Sequence, residues 1–255
     1  GEIAMASPSA NGVGQIAIFF GRSTWPAGPI DTSTADILIN GTDTSSSFGA
    51  NISFTGVADL DGDGSAELFV PVSNAKKVYL FRGSELLKDL VPSIQKVMTT
   101  ANASETFSDP AGSVFGTFLA VSNIDGVRRN LFIADSPIGK ISYYAKNSAA
   151  GVVFDPTRQV FAVGPNSLGT ALRSADLNGD GLDDLCSGST TIAPALGTIV
   201  CFWSGLGMPT SPSGLIGGVT SYGSSMNVGD VVHDGQIDLL IGEPSNGNGR
   251  VELRY

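Results

Sequence analysis

The sequence predicts an all-β protein made of four-stranded antiparallel blades, the repeating unit of a β-propeller. Three observations support this fold class. An aromatic residue or Leu followed by Gly recurs along the chain, short apolar strand patterns follow each such pair, and a polar, mostly acidic loop separates the first two strands of a repeat. Short strands that recur in a fixed order with turn residues between them are typical of propeller blades.

The repeats begin near residues 48, 115, 168 and 222, at Phe48-Gly49, Phe115-Gly116, Leu168-Gly169 and Tyr222-Gly223. Residues 1–47 form a partial blade, because Glu2 aligns with the last position of an acidic loop whose earlier positions are missing. We therefore expect four to five blades in residues 1–255. They form a single propeller domain that closes as a five-bladed ring, or a fragment of a larger ring. We favour the fragment, because four repeat starts and an incomplete first blade make a poor closed ring, and propellers close to protect their strand edges.

Each repeat supplies its strands in the same order. The first strand of the first complete repeat is predicted over residues 52–57. The second strands are predicted at 68–70, 131–133, 185–186 and 239–241, and the third at 78–81, 141–144, 198–202 and 251–253. Fourth strands are predicted at 95–98 and 159–161. Runs of Val, Ile, Leu, Phe and Tyr bounded by turn residues are typical of such strands.

Two acidic loops share one spacing, Asp59–Glu67 (the first acidic loop) and Asp176–Asp184 (the second acidic loop). Side-chain oxygens fall at loop positions 1, 3, 5 and 9, and Gly occupies position 6. Hard oxygen ligands at alternate positions of a tight turn suit Ca²⁺, and close carboxylates repel one another without a cation. The predicted metal ligands are Asp59, Asp61, Asp63, Ser65 and Glu67, and Asp176, Asn178, Asp180, Leu182 and Asp184. The alternative is a surface turn rich in Asp and Gly.

The first six loop positions resemble an EF-hand, but the rest does not. An EF-hand needs a Glu at position 12 and a helix on each side. Position 12 is Val70 in the first acidic loop and Ser187 in the second, and strand patterns flank the first loop. The loop therefore joins two strands of a hairpin.

Two further loops depart from this pattern. The third acidic loop, Asp230–Asp238, keeps Asp230, Asp234 and Asp238 but has Val232 at position 3, so we expect weak Ca²⁺ binding or none. The loop at 123–130 is shorter and contains Arg128 and Arg129. An Arg could supply there the positive charge that Ca²⁺ supplies elsewhere, or the segment is a plain solvated turn, and we expect no metal in it.

Together, the Phe-Gly pair, the Asp-x-Asp/Asn-x-Asp-Gly-x-x-Asp/Glu loop and a turn such as Gly242-Glu243-Pro244 resemble the FG-GAP repeat. The resemblance covers essentially the whole chain. It implies the propeller of integrin α-subunits and of many secreted proteins, with Ca²⁺ in the loops and four or five blades of what would be a seven-bladed ring. It also implies an extracellular or cell-surface location, in keeping with loops that need millimolar Ca²⁺.

Composition narrows the range of functions. The net charge of −10 argues against a nucleic-acid partner, and no apolar run is long enough to span a membrane. Cys186 and Cys201 fall on the second and third strands of one repeat, where they form either a disulfide or two buried thiols. His233 is the only histidine and lies in the third acidic loop, so a catalytic triad or a multi-His metal site is not expected.

These observations favour a non-catalytic module with structural Ca²⁺ that binds a protein or glycan ligand through its loops, and a second chain could complete the ring. One alternative is a non-catalytic domain of a larger secreted enzyme. Another is a lectin in which Trp25 and Trp203 stack on sugars, although core packing is the expected role of Trp203.

Overall fold

In the computed structural model, the described residues are 2–25, 27–43, 48–50, 59–112, 114–127, 129–147, 154–155, 157, 159–163, 168–192, 196–205, 207–209, 211–217, 221–245 and 247–254. They form 18 strands, one short α-helix and several 3₁₀ turns. The chain divides into two compact units, residues 1–109 and 110–255, which are described separately.

Unit 1 contains two sheets and the helix. Its elements are β1 (Ile3–Ser7), β2 (Gln15–Phe19), β3 (Ile37–Asn40), β4 (Leu68–Val72), β5 (Lys77–Phe81), α1 (Gly83–Leu87), β6 (Lys96–Thr99) and β7 (Glu105–Ser108). The first sheet has the strand order β1-β2-β3-β6, and the second has the order β4-β5-β7. Apolar residues of both sheets, among them Ile16, Ile37, Val70 and Phe81, pack into one core.

One strand prediction in this unit is wrong. Residues 95–98 were expected to close the second sheet, but β6 pairs in parallel with β3 of the first sheet. The side chain of Gln95 donates hydrogen bonds to the carbonyl oxygens of Thr32 and Ala35 at 2.7 and 3.1 Å. The backbone N–H of Lys96 donates to the carbonyl of Asp36 at 2.9 Å. These bonds fix the segment beside β3, and β7 takes the place next to β5.

Unit 2 contains three sheets. Its strands are β8 (Leu119–Ser122), β9 (Asn130–Asp135), β10 (Lys140–Tyr144), β11 (Gln159–Val163), β12 (Leu172–Ala175), β13 (Asp184–Ile192), β14 (Leu196–Phe202), β15 (Gly214–Gly217), β16 (Ser225–Gly229), β17 (Asp238–Glu243) and β18 (Arg250–Arg254). Each sheet is a consecutive antiparallel meander: β8 to β11, β12 to β15 and β16 to β18. The first strands of the three sheets lie side by side, with β12 between β8 and β16.

The aromatic-Gly pairs have a common structural reason. Phe48, Phe115, Leu168 and Tyr222 are all buried, and the Gly after each has a positive φ between 74° and 94°. Only Gly adopts this conformation at no steric cost. At Gly169 a side chain is also excluded by space, because an added Cβ would lie 2.7 Å from the Cβ of Ala134.

The all-β prediction is confirmed, and four-stranded antiparallel sheets are confirmed at β8–β11 and β12–β15. The first sheet departs from this plan through its parallel strand, and the sheets β4-β5-β7 and β16-β17-β18 have three strands within the described residues. Strand pairing in the described part of the chain keeps the five sheets distinct and closes no ring. The strand predicted at 52–57 lies outside the described residues.

Cys186 and Cys201 form a disulfide, which resolves the alternatives left open by the sequence. They lie directly opposite each other on β13 and β14 and are 15 residues apart in the chain. Both are buried, and they belong to the core cluster that also contains Ile199 and Met226. The bridge therefore ties the second and third strands of this sheet together.

The double substitution Cys186→Ala with Cys201→Ala should lower the unfolding free energy by about 3 kcal/mol, because it removes a cross-link over a loop of about 15 residues. Urea unfolding followed by circular dichroism measures the change. The unsubstituted protein treated with a thiol reductant is the control and should move to the same midpoint. Unchanged stability would contradict a structural role for the bridge.

Candidate metal centres

The first acidic loop is folded around the carboxylate of Asp59. Its Oδ1 accepts hydrogen bonds from the backbone N–H groups of Gly62 and Asp63 at 2.7 and 3.1 Å. Its Oδ2 accepts from the N–H of Gly64 at 2.8 Å. Gly62 and Gly64 both have positive φ, so the sequence Asp-Gly-Asp-Gly lets the backbone turn its N–H groups toward one carboxylate.

The second acidic loop repeats this arrangement around Asp176. Its Oδ1 accepts from Gly179 and Asp180 at 2.7 and 3.1 Å, and its Oδ2 accepts from Gly181 at 2.8 Å. The matching distances show that the shared spacing encodes one local structure. Loop position 1 therefore organises the turn in both loops.

The predicted ligands of the first acidic loop converge. Carboxylate oxygens of Asp59, Asp61 and Glu67 all lie within 4.8 Å of one another. Glu67 directly precedes β4, and its side chain is fully buried. Its Oε2 accepts from the N–H of Leu60 at 2.5 Å, whereas its Oε1 is buried without a hydrogen-bond partner. A buried carboxylate oxygen without a partner beside two other carboxylates is a place where a cation would be stabilised.

In the first and second acidic loops, the carboxylates at position 9 have raised pKa values. Burial raises the pKa of Glu67, and the charges of Asp61 and Asp63 add to that effect, while the N–H of Leu60 and, more weakly, the N–H of Gly83 oppose it. Burial also raises the pKa of Asp184, against the lowering effect of hydrogen bonds from Ser204 and Leu177. The folded state therefore holds these protons more tightly than the unfolded state does. Without a cation, each group costs stability as the pH rises through its folded pKa.

Positions 5 and 7 form a second turn in each loop. Asp63 Oδ1 accepts from the N–H of Ser65 at 2.8 Å, and Asp180 Oδ1 accepts from the N–H of Leu182 at 2.9 Å. At position 3, Asn178 donates from its side-chain amide to Asp180 at 3.1 Å. Among the described residues, carboxylates converge as a group only in the first acidic loop, at Asp59, Asp61 and Glu67. Asp63 and the carboxylates of the second acidic loop, which belong to the described part of the chain, form no such group.

Sequence reasoning missed the residues that follow the third strand of the same sheet. The hydroxyl of Ser204 donates to both carboxylate oxygens of Asp180, at 3.2 and 3.0 Å, and its N–H donates to Asp184 at 2.8 Å. In unit 1, a hydrogen bond from Ser84 is the largest cause of the lowered pKa of Asp63. The signal was a Ser two or three residues after the buried Phe202 and Phe81.

The third acidic loop has the same backbone in spite of Val232. Asp230 accepts from the N–H groups of Asp234 and Gly235 at 3.1 Å each. Asp238 Oδ2 accepts from Val231 and Val232, and its Oδ1 is buried without a partner. His233 is exposed and has φ of 60°, at the position that Gly occupies in the other two loops.

The short loop at 123–130 uses its acidic side chain internally. Asp125 accepts from the N–H of Val127 at 2.9 Å and from the side chain of Asn130 at 2.8 Å. The N–H of Asn123 donates to Asp183 of the second acidic loop at 3.0 Å. Arg128, which was considered as a substitute cation, lies outside the described residues.

The two tryptophans are both partly exposed. Trp203 is 37% exposed, so the expectation that it packs in the core is wrong: it follows β14 and its ring covers Gly214 rather than entering the core. Trp25 is also 37% exposed, contacts Phe19 edge-on and has the guanidinium of Arg22 5.5 Å from its ring centre.

A cavity of about 410 Å³ lies beside the first acidic loop within unit 1. Apolar side chains from four strands and the helix line it, including Ala4, Ile18, Ile37 and Leu86. Glu67 and the backbone of the loop form another part of its wall. This volume lies within the range of pockets that hold small molecules.

Comparisons with known proteins give a partial picture. No protein-family model matches the chain. It is 27% identical over 169 residues to integrin alpha-5 of Xenopus laevis, a match that covers 60% of this chain and 16% of that protein. This similarity indicates an integrin-like, β-rich domain. Assignment to the FG-GAP repeat itself stays a prediction.

Among solved structures, the chain is similar to rhamnogalacturonan lyases. YesW matches with a TM-score of 0.48 and 15% identity, over 95% of this chain and 42% of that chain. YesX matches with a TM-score of 0.48 and 17% identity, over 99% of this chain and 44% of that chain. This chain therefore spans less than half the length of either lyase.

Within the described residues, no helix has the length and apolar character needed to cross a membrane.

Glu67→Gln should stabilise the protein in EDTA. The amide keeps the acceptor for Leu60 and removes a buried charge that lies beside two carboxylates. We expect Tm to rise by about 2–4 °C, the shift for about 1 kcal/mol in a chain of this size. Differential scanning fluorimetry measures it, with the exposed Glu85→Gln as the matched control. A lower Tm for Glu67→Gln in EDTA would show that its charge is already compensated within the protein.

Proposed function

We propose that this chain is an extracellular recognition module, an FG-GAP-type β-propeller or part of one, with Ca²⁺ as a structural ion in its acidic loops. The observation that carries the proposal is the buried, unpartnered oxygen of Glu67 beside the carboxylates of Asp59 and Asp61. Asp59 and Asp61 are exposed, but a charged carboxylate buried beside them is unfavourable unless a cation offsets its charge.

The donor set favours Ca²⁺ over other metals. The first and second loops offer carboxylates, one amide and backbone carbonyls, and no His or Cys belongs to either loop. Zn²⁺ and Cu²⁺ prefer nitrogen or sulfur ligands, whereas Ca²⁺ accepts 6–8 oxygens in flexible geometry. Ca²⁺ would hold the turn between two strands and add to folding rather than take part in a reaction.

The arrangement of the sheets in unit 2 supports the proposed propeller. Three antiparallel sheets follow one another in the chain, and their first strands lie side by side. Adjacent blades of a propeller would have this arrangement, which supports the proposal. Residues 1–255 then contribute four or five blades of a larger ring, of seven blades by the resemblance to integrins, and the remaining blades could come from a second chain.

An extracellular or cell-surface location is part of the proposal. Three observations support it: the disulfide between Cys186 and Cys201, the similarity to an integrin, and loops of a type that takes up Ca²⁺ at the levels found outside cells. Loops on a rigid scaffold commonly bind ligands, so we propose a protein or glycan partner.

We propose that the chain itself is not catalytic. Its only histidine, His233, is exposed in a turn, and both of its cysteines are held in the disulfide. While they are disulfide-bonded, neither cysteine can act as the nucleophile of a Cys–His pair. It could still be a non-catalytic domain of a larger secreted enzyme, and the net charge of −10 argues against nucleic acid as the partner.

Calcium titration tests the metal assignment. Native mass spectrometry at about 1 mM Ca²⁺ should show two bound ions, and Asp59→Asn or Asp176→Asn should each remove one. Compared with the protein in EDTA, about 2 mM Ca²⁺ should raise the unfolding free energy by roughly 1–2 kcal/mol per site. This is the stabilisation expected from binding to the folded state with the dissociation constants typical of extracellular Ca²⁺ sites. Asp43→Asn, an exposed acidic position outside the loops, is the control. A Tm that does not respond to EDTA, with no bound Ca²⁺, would rule the sites out.

The exposed tryptophans favour glycan binding as a second candidate. Aromatic rings that are partly open to solvent present a flat apolar face on which a sugar can stack. If the module is a lectin, Trp203→Ala or Trp25→Ala should abolish binding on a glycan array, while Phe161→Leu, a packing change in unit 2, should not. Retained glycan binding in both tryptophan variants would exclude these surfaces, and an array without any binding would favour a protein ligand.

A further inference from the structure

The first and second acidic loops have matching surroundings, which allows their residues to be compared one by one. The N–H of Arg82 donates to the hydroxyl of Ser104 at 3.2 Å, and the N–H of Trp203 donates to the hydroxyl of Ser213 at 3.3 Å. Each of these residues directly follows the third strand of its sheet. Arg82 and Trp203 therefore occupy equivalent positions.

The same comparison relates the neighbouring strands. Leu80 pairs with Glu105 on β7, and Cys201 pairs with Gly214 on β15. Glu105 in unit 1 thus corresponds to Gly214 in unit 2. Arg82 and Glu105 therefore place a positive side chain and an additional acid next to the first loop. The equivalent residues Trp203 and Gly214 place neither next to the second loop.

The two loops also differ at position 3. Each carries four acidic side chains, but those of the second loop include Asp183 at position 8, which accepts from the N–H of Asn123. At the ligand positions 1, 3, 5 and 9, the first loop has four acids and the second has three, because its position 3 is the neutral Asn178. The acid that only the first loop has at these positions is Asp61, and this is the residue that Arg82 faces.

Arg82 lies between two acidic groups. Its Nε is 3.9 Å from Asp61 Oδ2, and its Nη2 is 3.4 Å from Glu105 Oε1. The Arg82 side chain is only 16% exposed, and its Nε is buried without a hydrogen bond. The guanidinium is therefore held near Asp61 by charge rather than by a directional bond, whereas it donates a hydrogen bond to Glu105.

We propose that Arg82 is a built-in counter-ion that lowers the Ca²⁺ affinity of the first acidic loop by competing with the ion for Asp61. The inference rests on the proposed Ca²⁺ sites. A fixed positive charge within a few ångströms of a dication opposes binding, and the effect is strong where water is partly excluded. Glu105 acts in the opposite direction, because it draws the guanidinium away from Asp61. Arg82 is thus an affinity-setting residue that the second loop lacks.

The test is isothermal titration calorimetry with Ca²⁺ at constant ionic strength. Asp176→Asn is the background, so that only the first acidic loop is followed. Arg82→Gln should tighten binding about tenfold, whereas Glu105→Gln should weaken it several-fold, since it leaves Arg82 to pair with Asp61. Arg22→Gln is the matched control: it breaks an ion pair with Asp36 in the same unit and should change nothing.

Three results are distinguishable. If the unsubstituted protein binds no Ca²⁺, the proposed function fails, and the inference fails with it. If Ca²⁺ binds but Arg82→Gln leaves the affinity unchanged or lower, only the counter-ion role is overturned.

If Arg82→Gln fails to fold, the reciprocal change in the second loop decides. There, Asn178→Asp should tighten Ca²⁺ binding, and adding Trp203→Arg should reverse the gain. A gain that persists in the double variant would overturn the proposal.

Discussion

One electrostatic constraint underlies the acidic loops: several carboxylates are held close together in the turn that leads into a buried strand. The carboxylate at loop position 1 is stabilised within the protein, because three backbone N–H groups donate to it in each of the first two loops. The carboxylate at position 9 is buried where its strand begins, and in Glu67 one oxygen has no partner. A cation at the proposed site would relieve this second group and link the turn to the core. Under that proposal, metal binding and sheet packing are coupled through one residue.

In the three acidic loops, the conformation of the turn does not depend on a complete set of predicted ligand residues. The third loop keeps two of the three position-1 hydrogen bonds, with Val232 in place of an acid and with His233 where the others have Gly. The turn thus forms without a full ligand set. The residues around each loop differ as well: Ser204 contacts the second loop, and Arg82 and Glu105 lie beside the first. Because these neighbours come from segments next to other strands of the same sheet, each sheet could set the properties of its proposed site without a change in the loop.

Sequence reasoning identified the all-β fold, the second and third strands of the repeats and all the residues of the acidic turns, because period-2 apolar runs and Asp-Gly spacing are local signals. It failed where contacts between residues far apart in the sequence determine the structure. Residues 95–98 join the first sheet because Gln95 and Lys96 bond to residues about 60 positions earlier, which no local pattern indicates. Ser204 and Arg82 were missed for the same reason. Trp203 was misjudged because it follows a buried strand, yet the chain turns outward at that residue. The disulfide was an open alternative, and the register of β13 against β14 decided it.

The most direct test of the central claim is a crystal structure of the protein grown with about 2 mM Ca²⁺, with anomalous diffraction to identify the ion. The account predicts anomalous density in the first acidic loop, with Oε1 of Glu67 and oxygens of Asp59 and Asp61 about 2.3–2.6 Å from it. A comparable peak should lie in the second acidic loop. Density for water alone beside Glu67, with its carboxylate bonded elsewhere in the protein, would contradict the claim that a cation resolves the buried acidic turn.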